Sequence, residues 1–415
     1  MKLQTMRAVD FWVGIPLCFF FTAVVRGLDA FAAKGPEKPQ RVLFIELSEM
    51  GSTIVANPAM QKAKDELGAE IFFLIFARNA ASLRLLDTVP SANVVTIREH
   101  SVGVLVADTI RFLMWARRER IDTVVDLEMF SRYSGLLTGL SGAVRRVGFY
   151  RFTNEGLYRG EMLTHRVAYN SHLHIAKNFV SMINALLAPV PELPYSKKHV
   201  SEAEIRLPIR PVSRLEENGV HALIREVYPE YDEGRHRVVL INPNSSELVP
   251  NRRWPMENFA RLASMMLREW EDVLILLTGS KGEVEESLRL EAEVKHPRIR
   301  SLAGKHSLEA LIPLYHVGKI LVTNDSGPGH FSAITPIRSI VLYGPETPKL
   351  YGSLGNSEAI TAELPCSPCV SAANHRNSAC NDPVCMRMIS PERVMASIRE
   401  VLVAQPMLSE IRSAV

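Results

Sequence analysis

The sequence predicts an α/β protein made of two doubly wound parallel sheets, preceded by an apolar N-terminal segment. Three observations lead there. Short aliphatic runs alternate with helical patterns, first from Arg41 to about Leu187 and again from Val238 onward, and strands that alternate with helices form a parallel sheet. A proline- and charge-rich stretch, Pro189 to Pro211, separates the two series. The loops after the strands of the second series are polar and carry Gly, Ser or a charge, as ligand-binding loops at the carboxyl edge of an open sheet do. At 415 residues the chain has room for two full cores. Its composition, 47% hydrophobic and 22% charged, is that of a globular protein. A net charge of +3, with no basic run interleaved with aromatics, gives no footprint for nucleic acid.

The N-terminus stands apart. Phe11 to Val25 is apolar, with Lys2 and Arg7 before it and Arg26 after it. It is shorter than the roughly 20 apolar residues of a spanning helix. A cleaved signal peptide, a single anchor or re-entrant hairpin kinked at Pro16, and a buried domain helix are the three readings. Gly35 to Pro39 reads as a linker, so residues 1–40 are expected to stand outside the fold as a membrane attachment.

In the first series, Arg41 to Leu47 is a strand and Ser48 to Ser52 the turn after it, with Ser52 or Thr53 capping a helix to about Leu67. Further strands are Ile71 to Phe76, Val94 to Ile97, Val124 to Leu127 and Val144 to Phe149. Val104 to Arg120 is a helix whose Arg117, Arg118 and Arg120 suit a solvated C-terminus. Leu157 to Leu187 reads as helical, and its His165, His172 and His174 are expected at the surface rather than on a metal. These elements make a domain over 41–200, joined by a linker over 201–235 that includes a helix at Val212 to Val227.

The second domain, 236–415, has strands at Val238 to Ile241, Val273 to Thr278, Ile299 to Leu302, Ile320 to Val322 and Ser339 to Tyr343. Helices are expected at Glu257 to Arg268, Glu283 to Val294, Ser307 to His316 and, at the end, Ser390 to Val403. Its centre is Lys319 to His330, where a buried strand runs into Asn324-Asp325-Ser326-Gly327 and a helix opens at Pro328. Free N–H groups and the helix dipole there favour a phosphate. Gly327 and Gly329 allow close approach, while Asp325, Ser326 and His330 supply polar handles. Arg252 and Arg253 are placed to reach a diphosphate, with Ser245 and Ser246 donating hydrogen bonds. Glu283 is placed to accept from ribose hydroxyls. The absence of G-x-x-x-x-G-K-[ST] and of G-x-G-x-x-G excludes P-loop kinases and dinucleotide enzymes.

Four of the five cysteines fall in one loop, Cys366-x2-Cys369-x10-Cys380-x4-Cys385. C-x2-C with a second pair suits structural zinc, with His375 as a substitute donor. An iron–sulfur cluster, two disulfides or free thiols are the other readings.

Asn-Asp-Ser-Gly-Pro-Gly-His at 324–330, Arg-Arg-Trp-Pro at 252–255 and Leu-Tyr-Gly-Pro-Glu-Thr-Pro at 342–348 resemble glycosyltransferase family 9, the ADP-heptose:lipopolysaccharide heptosyltransferases. The resemblance covers about residues 41–400. It implies a GT-B architecture, with an acceptor-binding N-terminal domain and a donor-binding C-terminal domain facing across a cleft. It also implies inverting, metal-independent transfer of a heptose-like sugar from a nucleotide diphosphate to a lipid-linked saccharide. By position, Asp325, Ser326, Gly327 and His330 hold the sugar and diphosphate. Ser245, Ser246 and Arg252 or Arg253 contact phosphates, Glu283 the ribose, and His306 packs near the base. The family has Lys where this chain has Arg before Trp-Pro. Its first turn carries an Asp that acts as base, where this chain has Ser52; either Glu49 replaces that carboxylate, with Glu46 less suited because it points from the strand, or Glu49 is an exposed loop carboxylate and the base is lost. Such an enzyme works on the cytoplasmic face of a bacterial inner membrane. A non-catalytic, membrane-held sugar-nucleotide-binding or scaffold protein, and a GT-B-shaped epimerase, are the alternatives.

Overall fold

The computed structural model describes residues 3–31, 35–129, 131–153, 156–190, 192–194, 196–245, 249–371, 374 and 376–404. The chain forms two compact units, Met1–Arg206 with Ala372–Arg376, and Leu207–Ser371 with Asn377–Val415.

The first unit opens with two helices, α1 (Leu3–Trp12) and α2 (Gly14–Phe31). There follow β1 (Arg41–Ile45), α3 (Met50–Leu67), β2 (Glu70–Phe76), β3 (Val94–Ile97), α4 (Val102–Arg118) and β4 (Thr123–Asp126). The unit closes with α5 (Arg132–Leu140), β5 (Arg145–Phe149), β6 (His165–Val167) and α6 (Ile175–Leu187). All six strands are parallel, in the order β3-β2-β1-β4-β5-β6. Val42 to Ile45 and Ile71 to Phe76 are continuously apolar because central parallel strands are covered on both faces. Leu43, Ile45, Phe72 and Leu74 pack against Phe112 and Ala116 of α4 and Leu137 of α5. Helix ends follow local chemistry: the Ser101 side chain accepts from Val104 N at 3.3 Å at the start of α4. Gly68 closes α3 with φ at 66°.

Two expectations are corrected here. Leu157 to Leu187 is helical only from Ile175; His165–Val167 is an edge strand paired with β5 in the register Val147↔His165. Three residues carry too little period to announce a strand, and its pairing partner supplies the ordering. The apolar N-terminus is also not outside the fold. Cys18 and Val25 of α2 are buried with Leu136 of α5 and Met162. Asp10 pairs with Arg132 at 3.0 Å and Asp29 with Arg146 at 2.5 Å.

The second unit begins after Arg206. Its α7 (Arg214–Val227) starts from a capping box made by Ser213 and Glu216. Next come β7 (Arg237–Asn242), α8 (Met256–Glu269), β8 (Val273–Leu277), α9 (Val284–Val294), β9 (Ile299–Ser301) and α10 (Leu311–Val317). They lead to β10 (Ile320–Asn324), α11 (Gly327–Phe331), β11 (Arg338–Tyr343), α12 (Pro348–Tyr351) and β12 (Ser357–Thr361). After the cysteine loop, α13 (Val384–Arg387) and α14 (Pro391–Ala404) complete the unit. The sheet is again parallel, ordered β12-β11-β10-β7-β8-β9. The half-exposed edge strand β12 is an addition to the strands expected from sequence. Val394, Met395, Ile398 and Leu402 of α14 bury themselves against Phe259, Leu262 and Met266 of α8.

In each unit the strand order reverses direction between two neighbours, β1 and β4 in the first and β7 and β10 in the second. At such a reversal the outgoing chains diverge to opposite sides and leave a crevice at the carboxyl ends of the strands. Most of the polar residues of interest lie in the loops that leave these four strands, and Glu283, His306 and Glu346 follow β8, β9 and β11.

Candidate functional site

In the second unit the loops after β7 and β10 are stitched together by Asn324. Its amide nitrogen donates to Pro243 O at 2.7 Å, and its Oδ1 accepts from Trp254 N at 2.9 Å. Trp254 is itself buried, with Nε1 donating to Ile389 O at 2.9 Å. This frame fixes Arg252 beside Asp325, Nη1 to Oδ2 at 3.2 Å, both buried. Burial raises the Asp325 carboxyl above its ordinary range, and the Arg252 charge and hydrogen bond oppose that rise.

Next to the pair, both amide atoms of Asn244 and the Ser245 hydroxyl are buried with no hydrogen-bond partner among the described residues. Buried polar groups are rarely left this way, because each costs about 1–3 kcal/mol. These three groups at a sheet reversal are available to a polar ligand. Ser246 lies outside the described residues. Arg253 is half-buried and donates from Nη2 to Ser245 O at 3.3 Å. Ser326 donates to Asn324 O at 3.1 Å, and His330 sits half-buried on α11. Gly327 and Gly329 have a packing reason as well: a Cβ at Gly329 would stand 2.8 Å from Ser353 Oγ, and one at Gly327 3.2 Å from the Phe331 ring.

Glu283 has a local duty. Its Oε2 accepts from Ser280 N at 2.6 Å in a capping box. Its Cβ and Asn244 Nδ2 both flank Gly279, which keeps the side chain at the same edge as Asn244. His306 is half-buried, with Nδ1 against Ser307 O at 3.1 Å and Nε2 buried without a partner among the described residues. Burial lowers its pKa and so favours the neutral imidazole.

Glu346 is the residue that sequence reasoning passed over. It lies in the loop after β11, buried, and its carboxyl is pushed up to about 8, first by burial and then by the Asp325 charge, with Arg252 opposing. Gly344-Pro345-Glu346-Thr347 was visible as a polar carboxyl-end loop, but only the fold reveals that the carboxyl turns inward. The cysteine loop props this segment. Cys369 N and Val370 N both donate to Pro345 O at 3.0 Å, and Ser367 Oγ to Gly344 O at 2.6 Å. Cys366 and Cys380 are exposed, Cys369 half-buried and Cys385 buried, and none of the four is in a disulfide. They share a neighbourhood, since the other three each push the Cys385 thiol upward after burial has done so. As placed, the described residues form no metal-holding group of three or more His, Cys, Asp or Glu side chains. His375 lies outside the described residues.

In the first unit, four carboxylates gather where β1 and β4 end. Glu128 Oε1 accepts from Leu47 N at 2.9 Å, Ser48 N at 3.0 Å and Ser48 Oγ at 2.7 Å. Asp126 accepts from Glu128 N at 3.1 Å and pairs with Arg159. Glu46 is buried beside them, and its carboxyl is raised well above the ordinary range by burial and by the Glu128 charge. Glu49 differs from these three because it remains partly open to solvent. Its Oε2 accepts from Ser52 Oγ at 3.3 Å, and its Oε1 pairs with the half-buried guanidinium of Arg376. Glu49 and Ser52 are thus brought together beside a cation. Arg376 comes from a loop 327 residues away, a distance over which no sequence pattern signals a partner.

Comparison with known proteins agrees with this layout. The model of glycosyltransferase family 9 (heptosyltransferase) matches residues 112–379, more than half of the chain. Lipooligosaccharide heptosyltransferase 2 of Campylobacter jejuni is 25% identical over 170 residues, 40% of this chain and 51% of that protein. Lipopolysaccharide heptosyltransferase 2 of Salmonella typhimurium is 33% identical over 106 residues, 25% of this chain and 30% of that protein. This chain thus spans about half the length, or less, of these two curated relatives. Among solved structures, that of the Escherichia coli ADP-heptose lipopolysaccharide heptosyltransferase II superposes with a TM-score of 0.67 at 19% identity, covering 88% of this chain and 99% of that one. The superposition gives the two-sheet GT-B fold, and the family model extends from α4 through the polar loops of the second sheet. This chain belongs to glycosyltransferase family 9, the heptosyltransferase family.

Proposed function

We propose that this protein moves a heptose-like sugar from ADP-heptose to a lipid-linked saccharide of the lipopolysaccharide core, with inversion at the anomeric carbon and no catalytic metal. The work takes place on the cytoplasmic face of a bacterial inner membrane. The observation that carries this reading is the buried Arg252–Asp325 pair with the unmet Asn244 and Ser245 groups beside it, in a chain of family 9. The donor is taken from the Escherichia coli relative, which is named for ADP-heptose.

On this reading the second unit holds the donor. Arg252, Arg253, Ser245 and Ser246 bind the diphosphate, and Asp325, Ser326, Gly327 and His330 bind the sugar and its phosphate link. Glu283 takes ribose hydroxyls with the oxygen that Ser280 leaves open, and the neutral His306 flanks the base. In the reaction the acceptor hydroxyl oxygen bonds to the anomeric carbon while the carbon–oxygen bond to the diphosphate breaks. The electron pair leaves with ADP, and the hydroxyl proton passes to a carboxylate. Glu49 supplies that carboxylate in place of the family's Asp, with Ser52 as a hydrogen-bond donor that orients it. Oε1 of Glu49 is already engaged by Arg376, which is the point favouring a protein that binds a sugar nucleotide without turnover.

Transfer from ADP-heptose to a lipopolysaccharide-core acceptor tests the reading. Glu49→Gln is expected to lower kcat by about 100-fold or more, within the usual range for losing a general base, while leaving donor affinity unchanged. Unchanged kcat would remove Glu49 from the mechanism.

The cysteine loop is proposed to hold one structural zinc through Cys366, Cys369, Cys380 and Cys385, once the thiols draw together. Zinc would then brace the Pro345 loop and, through it, Glu346. Elemental analysis of the purified protein is expected to give about one zinc per chain, lost in Cys369→Ser. A metal-free wild type that melts at the same temperature with and without chelator would refute it.

A further inference from the structure

We infer that the outer faces of α1, α2 and α4 together form a surface that lies flat on an anionic lipid bilayer, so that α2 rests in the interface instead of crossing the membrane. This gives the membrane part of the function above a location, and it holds or fails independently of sugar transfer. At 18 residues α2 is about 27 Å long, enough to span by length and composition alone. Its attachments argue otherwise. Cys18 and Val25 are buried on the first unit, and Thr22 Oγ1 accepts from Glu161 N at 2.9 Å. Asp10, just before α2, pairs with Arg132, and Asp29, at its other end, pairs with Arg146. A helix fastened along its length to a globular unit cannot also stand upright in the bilayer without carrying that unit's charged groups into hydrocarbon.

The opposite face is left to the outside. Trp12, Phe19 and Phe20 are 75%, 73% and 60% exposed. The same property reappears on α4, where Val102, Val106, Ile110 and Met114 are each more than half exposed. Steps of four place them on one side of the helix, the side that on a water-facing helix carries charge. Met6 of α1 packs against the same core cluster as Leu105, Leu113 and Trp115 of α4 and Tyr133 of α5, so α1 and α4 border one patch of the unit.

Charge identifies the occupant. Residues 1–34 contain two acids, Asp10 and Asp29, against Lys2, Arg7, Arg26 and Lys34. Both acids are consumed by Arg132 and Arg146 of the unit. On α4, Asp108 is buried in pairs with Arg98 and Arg111, while Arg117 and Arg118 at its end are exposed. Arg26 and Arg118 also reach Glu161 and Glu119, but the bases of residues 1–34 outnumber the acids, and an apolar face bordered by a basic excess fits anionic headgroups over acyl chains. A second protein copy would bring the same bases against themselves.

The test is sedimentation of the full-length protein with phosphatidylglycerol–phosphatidylethanolamine vesicles and with phosphatidylcholine vesicles, without any nucleotide sugar. Wild type is expected to pellet with the anionic vesicles and to be released by alkaline carbonate. Val106→Glu/Ile110→Glu and Phe19→Glu/Phe20→Glu change exposed side chains only, so each is expected to melt like wild type and to bind ADP as wild type does. Each is expected to lower vesicle binding about tenfold or more. Carbonate-resistant wild type, or full vesicle binding by the α4 variant, would overturn the proposal in favour of a spanning α2. A wild-type dimer that ignores vesicles and dissociates in these variants would overturn it in favour of self-association.

Discussion

Replacing Arg252 by Met is expected to abolish tight donor binding and to destabilise the second unit. Arg252 is buried and pairs with the buried Asp325 at 3.2 Å. Removing the cation leaves a buried carboxylate that must either protonate or stay uncompensated, a change that typically costs about 3–5 kcal/mol. On the proposed function it also removes a charge-assisted partner of the diphosphate, worth about 1.5–3 kcal/mol, or roughly 10- to 100-fold in affinity. The two effects separate in the double variant. Arg252→Met/Asp325→Asn has no charge left unpaired, so urea denaturation should show most of the stability restored. Titration calorimetry with ADP should still show the weakened binding. Recovery of both would make the pair purely structural.

Glu346 carries the second large effect, and its sign follows from burial. Its carboxyl titrates near 8 in the fold against an ordinary value near 4.5, so it stays protonated at neutral pH. Below pH 4.5 both folded and unfolded chains hold the proton, and Glu346 contributes no pH dependence. Between 4.5 and 8 the unfolded chain loses the proton first, so stability falls as pH rises, by up to about 5 kcal/mol at the upper end. Glu346→Gln keeps the shape and the donor capacity of the protonated acid but cannot ionise. It is expected to flatten this decline, so that the variant melts higher than wild type at pH 8 and much closer to it at pH 5. The donor is itself anionic, and ionised Glu346 beside Asp325 would repel it. ADP affinity should therefore fall across pH 7–9 in wild type, and less steeply in Glu346→Gln. Parallel profiles for the two proteins would show that Glu346 does not titrate in this range.

What could be read from sequence divides along physical lines. The central strands were legible because parallel strands covered on both faces must be continuously apolar, as Val42 to Ile45, Val273 to Leu277 and Ile320 to Val322 are. The Asn324–His330 junction was legible because a strand, a polar turn and a helix start follow one another in the chain. Short edge strands were harder: His165–Val167 and Ser357–Thr361 owe their order to a neighbour rather than to their own residues. The N-terminal helices read as detached because the groups that fasten them, Arg132 and Arg146, lie more than a hundred residues on. The same holds for the site. Asp325 and Arg252 could be named from their motifs, but their pairing could not. Nor could the Arg376–Glu49 contact or the inward turn of Glu346.

The proposed function rests on two roles, donor binding by Arg252 and proton acceptance by Glu49. The most direct measurement is single-turnover transfer from ADP-heptose to a lipopolysaccharide-core acceptor by wild type, Glu49→Gln and Arg252→Met, with ADP affinity measured on the same three proteins. The account predicts turnover by wild type, normal ADP affinity with turnover lost in Glu49→Gln, and loss of both in Arg252→Met. Tight binding of ADP-heptose by wild type with no sugar transferred would contradict it, and would make this chain a sugar-nucleotide-binding member of its family.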